Sequence, residues 1–404
     1  MTTSTSGRGA FTGTTSPPLF GRRTQISGSA NANTDAALIL GAHEIVRNLV
    51  KAVMAAGGGI VVGLGREPRA EGAAADAPGL TFDWTALEAA AECLRLGYRT
   101  WPSKFGLPIV VATSEKAESE IPDNRRTLYE TLLRSGFLHL ESIMAGSRAA
   151  ALLRQRQAVF GDALVLLGGG TGVEHSANLY LQRRKPVVPL DVPLGASRDD
   201  GTGGALRLAK EARSEPTRFF RFDRAFANTE SAALADIATR SGTVAPAEVA
   251  ERIASLLCKI AQPSAFFVRL LNPAHPKFVA VESFFREVVD SVIQEAGMTR
   301  IEVGTDKSEH AFINVAIFES LHFSSLAIVD VTGERPNCFI ELGYALGTGN
   351  RVLVTAEDGT QLPFDQTMIP CHFWKPGATV NDRKKAFVEF WEKNINRPPI
   401  VKSA

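Results

Sequence analysis

Residues 162–172 read "DALVLLGGGTG". Five apolar residues run without polar alternation and stop at a cluster of glycines. A strand of that kind is covered on both faces, which points to a parallel sheet. The theme recurs outward from it. "TQISGSA" (24–30), "GGGIVVGLGREP" (57–68), "LPIVVATSE" (107–115) and "KPVVPLDVPLG" (185–195) are apolar runs that break into loops. A helical stretch, "AALILGAHEIVRNLVKAVMAAG" (36–57), follows the first of them. Strands alternating with helices predict an α/β domain over 21–225.

Residues 226–262 are helical in character and read as a connector. A second series starts at "SAFFVRLLNP" (264–273) and continues through a helix at 278–297, strands at "RIEVG" (300–304) and "SLAIVDVTG" (325–333), and a helix in "NCFIELGYALGTG" (337–349). "RVLVTAE" (351–357) adds a strand and "DRKKAFVEFWEKNI" (382–395) a closing helix. The fold expected is two Rossmann-like or flavodoxin-like parallel-sheet domains in tandem, the second over 263–404.

Composition narrows the function. The chain has 404 residues, and 44 Lys plus Arg nearly cancel 43 Asp plus Glu, so nucleic acid is not an expected partner. The four cysteines are far apart with no C-x-x-C pair, so neither a metal site nor a disulfide framework is suggested, and a reducing, cytoplasmic setting fits. No apolar run approaches the ~18 residues of a membrane helix, so no membrane partner is expected. The opening 20 residues are rich in Ser and Thr and lack acids. They have the bias of a transit peptide but no apolar face, and a disordered tail over 1–20 is the expectation.

Ligands of open α/β sheets sit at strand carboxyl ends, where glycines let backbone N–H groups approach phosphate. The first domain offers Ser27, Gly28 and Ser29; Gly65 with Arg66; and Gly169, Gly170, Thr171 and Gly172, followed by Glu174 and His175. Arg66 is a phosphate partner by geometry or an ordinary surface arginine. Glu174 and His175 either contact a base or ribose or cap the helix. No Gly-Lys-Ser/Thr follows the glycines, so this is no Walker loop. The combination resembles the SLOG (STALD-like) superfamily, particularly members joined to NAD-cleaving domains in bacterial antiviral immunity. The resemblance implies a sensor of nucleotide signals such as cyclic ADP-ribose-like molecules. Related phosphoribohydrolases carry a catalytic Glu where this chain has Ser176, which favours binding over catalysis.

In the second domain, "SLAIVDVTGERPNCFIELGYALGTGNRVLV" (325–354) resembles the nucleoside 2-deoxyribosyltransferase superfamily and its TIR-like relatives. By that resemblance Glu341 is the catalytic carboxylate, Asp330 a ribose or proton-transfer partner and Asn337 an orienting group. N-glycosidic cleavage builds oxocarbenium character that a carboxylate stabilises or traps. Glu341 is expected in the first turn of its helix, where the dipole would keep it ionised. Gly343 leaves room for a ligand ring and Tyr344 stacks on it or merely packs. Arg269 and His275 are candidates to meet phosphates, or His275 is an ordinary loop histidine, and Asp365, in "LPFDQT" (362–367), echoes a segment of the superfamily.

Joined, the halves read as a signal-activated N-glycosyl hydrolase that requires no cofactor, takes NAD as substrate and acts in antiviral or stress defence. The resemblance also implies a homo-oligomer or filament, because TIR-like sites are often completed by a neighbouring subunit. Two alternatives stay open: a salvage nucleosidase or deoxyribosyltransferase acting on nucleosides, and a non-catalytic nucleotide sensor or scaffold.

Overall fold

A computed structural model describes residues 17–19, 21–72, 77–98, 101, 106–144, 146–183, 185–195, 204–220, 244–260, 264–302, 317–318, 320–322, 324–362 and 369–395. The described residues divide into two compact units, one within Pro18–Gln262 and the other within Pro263–Ala404.

In the first unit, β1 (Arg23–Ser29), α1 (Ala36–Ala55), β2 (Gly59–Gly63), α2 (Asp83–Arg95), β3 (Ile109–Ser114), α3 (Glu115–Ser119), α4 (Asp123–Arg134) and β4 (Leu138–Ile143) come first. After them come α5 (Ala149–Phe160), β5 (Ala163–Gly168), α6 (Thr171–Gln182), β6 (Val187–Pro189), α7 (Ala205–Ser214), α8 (Pro216–Phe220) and α9 (Pro246–Ile260). The strands form one sheet in the order β4-β3-β2-β1-β5-β6. Every pairing is parallel. β2, β3 and β5 are apolar on both faces and buried along almost their whole length, which is why they read as unbroken apolar runs. Order reverses between β1 and β5, and ligands of open α/β sheets lie at such a switch point. Of the stretch read as a connector, α9 packs along α1 and adds Val249, Ile253, Leu256 and Leu257 to the first core. Its residues 226–243 and 261–262 lie outside the described ones.

In the second unit, β7 (Ser264–Val268) leads into α10, a continuous helix made of Phe278–Phe284, a π-helical turn Phe285–Val289 and Asp290–Glu295. Next are β8 (Thr299–Ile301), β9 (Leu326–Asp330), α11 (Pro336–Gly347), β10 (Val352–Glu357), β11 (Cys371–Trp374) and α12 (Val380–Asn394). The strand order is β11-β10-β9-β7-β8, and all pairings are parallel. The sheet has a core on each face. One joins Leu326, Ile328, Leu353 and Trp374 to Phe284, Val288, Phe387 and Trp391 of α10 and α12. The other joins Ala327, Val329, Val354 and Ala356 to Cys338, Leu342 and Ala345 of α11. This two-sided packing places α10 and α11 on opposite faces and puts a switch point between β7 and β9.

Candidate functional site

At the first unit's switch point, β1 and β5 run in register, with Ser29 beside Gly168. The two strands come so close that a Cβ on Gly28 would stand 1.9 Å from the Leu167 carbonyl oxygen, so only glycine fits there. The glycine turn is fastened to β1 by the Gly169 N–H, which donates to the Ser29 carbonyl at 2.7 Å. Ser27, Gly28, Ser29, Gly169, Gly170, Thr171 and Gly172 therefore share one edge. Gly65 and Arg66 follow β2, the neighbouring strand. The Gly65 carbonyl accepts from Trp84 Nε1 at 3.0 Å, and Arg66 is exposed.

The charges around this turn sort clearly. Glu174 is committed to α7: its Oε1 accepts from the Gly204 N–H at 3.1 Å, and its Oε2 lies 3.2 Å from Arg207. Arg154, which the sequence gave no reason to single out, reaches in from α5. Its Nη1 lies 3.4 Å from where a Cβ on Gly172 would stand. Its Nε donates to His175 Nδ1 at 3.0 Å, which puts the imidazole proton on Nε2. Burial lowers the Arg154 pKa, and no carboxylate among the described residues offsets that. The α6 N-terminus carries no side-chain cap. A helix N-terminus beside a guanidinium with no carboxylate partner among the described residues attracts anions.

In the second unit, β9 ends on Asp330, which is fully buried. Its Oδ2 accepts from Thr355 Oγ1 at 2.8 Å and Trp374 Nε1 at 3.0 Å, and its Oδ1 accepts from the Thr332 N–H at 3.0 Å. Burial raises its pKa against the pull of those bonds. Asp330 thus knits together the ends of β9, β10 and β11. It also lies on the α10 and α12 face, in alternation with Ala327 and Val329, which pack against α11.

Glu341 rides on α11, and here the structure corrects the sequence reading. Pro336 occupies the first helical position, so Glu341 falls in the second turn, beyond the strongest reach of the helix dipole. Burial alone pushes its carboxyl up to about 7, where the dipole had been expected to hold it low. No hydrogen-bond donor among the described residues reaches it. Cys338, one turn earlier and buried, has its thiol pushed up to about 12 by burial first and then by the charges of Glu341 and Asp330. Both carboxylates therefore act on the start of α11, though from different faces of the sheet.

The other second-unit residues divide. Asn337 is exposed in the first turn of α11, one turn before Glu341 and on its face. Gly343 is exposed, with open space where a Cβ would stand. Tyr344 is packed: its hydroxyl meets His322 Nδ1 at 3.1 Å and its ring lies 4.8 Å from Phe318. His275 sits against Gly333, whose φ of +78° and lack of a Cβ allow the ring that close. That contact joins the loops after β7 and β9 at the switch point. Arg269 is enclosed by Glu282 and Glu302, with its charge already matched. Asp365 lies outside the described residues. A feature missed from the sequence is the Lys277 to Glu357 ion pair at 2.8 Å, at the end of β10. The signal was available, because "VLVTAE" is a strand ending in an acid just as "LAIVD" is.

Fold and edges together define a two-unit parallel α/β protein with a polar, glycine-bearing loop cluster at each switch point. The chain belongs to the family described as ATP nucleosidase Cap17-like, N-terminal, which matches residues 19–258. It is 32% identical over 195 residues to ATP nucleosidase Cap17 of Escherichia coli (strain KTE188). It is equally similar to a second Escherichia coli protein of the same name. The aligned segment is 48% of this chain and 37% of each relative. The family match falls on the first unit. Among the described residues, no helix is long and apolar enough to cross a membrane.

Proposed function

We propose that the chain is a nucleotide-responsive N-glycosyl hydrolase of antiviral or stress defence. In this reading the first unit binds a nucleotide, and the second cleaves the bond between base and ribose in ATP or NAD. The observation that carries it is Glu341: half-buried, without a donor among the described residues, and with its carboxyl raised to about 7. A carboxylate held in that state ionises near neutral pH and can stabilise or trap an oxocarbenium-like sugar. ATP enters because the relatives that match the first unit are named ATP nucleosidases. NAD enters through the resemblance of the second unit to TIR-like proteins.

For the first unit, binding is favoured over chemistry. The acid of the α6 first turn, Glu174, is spent on Gly204 and Arg207, whereas Arg154 has no carboxylate partner among the described residues. The signal it suits is phosphate-bearing, and a cyclic ADP-ribose-type molecule fits that class.

The test incubates the purified chain with ATP or NAD, with and without cyclic ADP-ribose, and resolves free adenine and nicotinamide by chromatography. Release of either base is expected, with the added nucleotide accelerating it. If no base leaves ATP, NAD or any nucleoside under any of these ligands, the enzyme reading is wrong.

A further inference from the structure

We infer that Glu357, paired with Lys277, is a subsite of the second unit that accepts a hydrogen bond from the 2′- or 3′-hydroxyl of a nucleotide ribose and so discriminates against the nucleotide lacking that hydroxyl. The inference takes its ligand class from the nucleosidase reading, but its test reads binding, not turnover.

Glu357 is the last residue of β10, at the carboxyl edge where ligands of such sheets lie. Its side chain is 10% exposed. Oε1 takes the Lys277 ammonium at 2.8 Å, while Oε2 is buried with no hydrogen-bond partner among the described residues. A buried carboxylate oxygen without a donor is costly, by roughly 1–3 kcal/mol, and a fold seldom leaves one without a use. The position is also rigid. The Glu357 N–H donates to Thr332 Oγ1 at 2.8 Å, which ties β10 to the turn after β9, and the Asp330 bonds fix the same three strand ends. This oxygen is thus held in place ahead of any ligand.

Charge and access indicate the donor. Lys277 already matches the carboxylate, so the vacancy at Oε2 suits a neutral donor better than a second cation. Lys277 sits at the N-cap position of α10, in the loop that follows β7, and its side chain is 51% exposed. A sugar hydroxyl is a neutral donor of the right size, and acidic residues at strand ends of this architecture bind ribose hydroxyls. A site built to bind a hydroxyl rejects the analogue lacking it, because its own polar atom is then left unpaired.

The experiment measures equilibrium binding of ATP, 2′-deoxy-ATP and 3′-deoxy-ATP to the full chain carrying Glu341→Gln, which keeps the nucleotide intact, and to the same chain with Glu357→Gln added. One binding component is expected to weaken roughly 10–100-fold when one hydroxyl is removed, and the deoxy analogue that weakens identifies the hydroxyl. Adding Glu357→Gln is expected to abolish that preference, since an amide nitrogen at the Oε2 position donates where acceptance is needed. Equal binding of the three nucleotides, no binding of any, or an unchanged preference in a folded Glu357→Gln chain overturns the subsite. Should Glu357→Gln fail to fold, the three-nucleotide comparison decides alone. Absence of base release combined with a Glu357-dependent ribose preference would overturn the nucleosidase reading and leave the subsite standing.

Discussion

The two switch-point edges carry opposite kinds of available charge. At the first, the acid is committed and the cation is open: Glu174 bonds Gly204 and Arg207, while Arg154 has no carboxylate among the described residues. At the second, the cation is enclosed and the acid is open: Arg269 lies between Glu282 and Glu302, while Glu341 has no donor among the described residues. Both edges follow from the same parallel-sheet architecture and both have glycine-bearing turns. An open cation attracts phosphate and does little to a glycosidic bond. A half-buried open carboxylate with a raised pKa suits proton transfer or cation stabilisation. In the reading proposed above, the first edge binds and the second carries the chemistry, on a common framework.

The contrast breaks most visibly if the frameworks themselves are damaged. Replacing Asp330 with Ala strands the Trp374 Nε1 and Thr355 Oγ1 donors in a buried setting. A loss on the order of 4 kcal/mol is expected, confined to the second unit. Thermal unfolding followed by hydrogen exchange should show the first-unit strands still protected. Gly28→Ala should act the other way round. Its new methyl group would meet the Leu167 carbonyl, so β1 and β5 must part, at a cost of about 3 kcal/mol to the first unit. If either substitution melted both units equally, the two would not be independent frameworks.

Arg154→Ala tests the open cation. Nucleotide binding by the first unit should weaken roughly tenfold, because one charge-assisted contact is lost from a part-exposed site. Isothermal titration with cyclic ADP-ribose measures it, and basal base release without that ligand should not change. Unaltered affinity would remove Arg154 from the binding edge.

The last effect is the dependence on pH, and its sign follows from burial. A folded-state pKa of about 7 lies above the usual 4.5, so the folded chain holds this proton more tightly than the unfolded one. The contribution of Glu341 to stability is therefore present below pH 4.5 and lost as pH rises through 7. Acting as an anion toward the sugar, Glu341 would make kcat/KM rise up to about tenfold per pH unit below 7 and level off above it. A profile that falls above pH 7 would recast it as a general acid.

Much of this was legible in the chain itself. Unbroken apolar runs such as "ALVLL" announced the parallel strands, and the glycines after them marked the first edge. Pairing was harder to read. Arg154 and Gly172 are far apart in sequence and meet only because α5 and α6 are packed side by side. Glu174 and Arg269 looked available because a sequence does not show that Gly204 or Glu302 will occupy them. Glu341 was placed in the wrong turn for a local reason: the Pro336 start signal was overlooked, and with it the shift from dipole to burial as the dominant influence. Face assignment was also hidden. Asp330 and Glu341 are close in sequence, but strand alternation and the crossover direction send them to different sides of the sheet.

The most direct test of the assignment of chemistry to the second edge compares free base released from ATP and NAD by the unaltered chain and by Glu341→Gln, side by side at pH 8. The unaltered chain is expected to release adenine or nicotinamide, and Glu341→Gln to release at least about a hundredfold less while melting at the same temperature. Equal release from the two would contradict the account and move the chemistry away from Glu341.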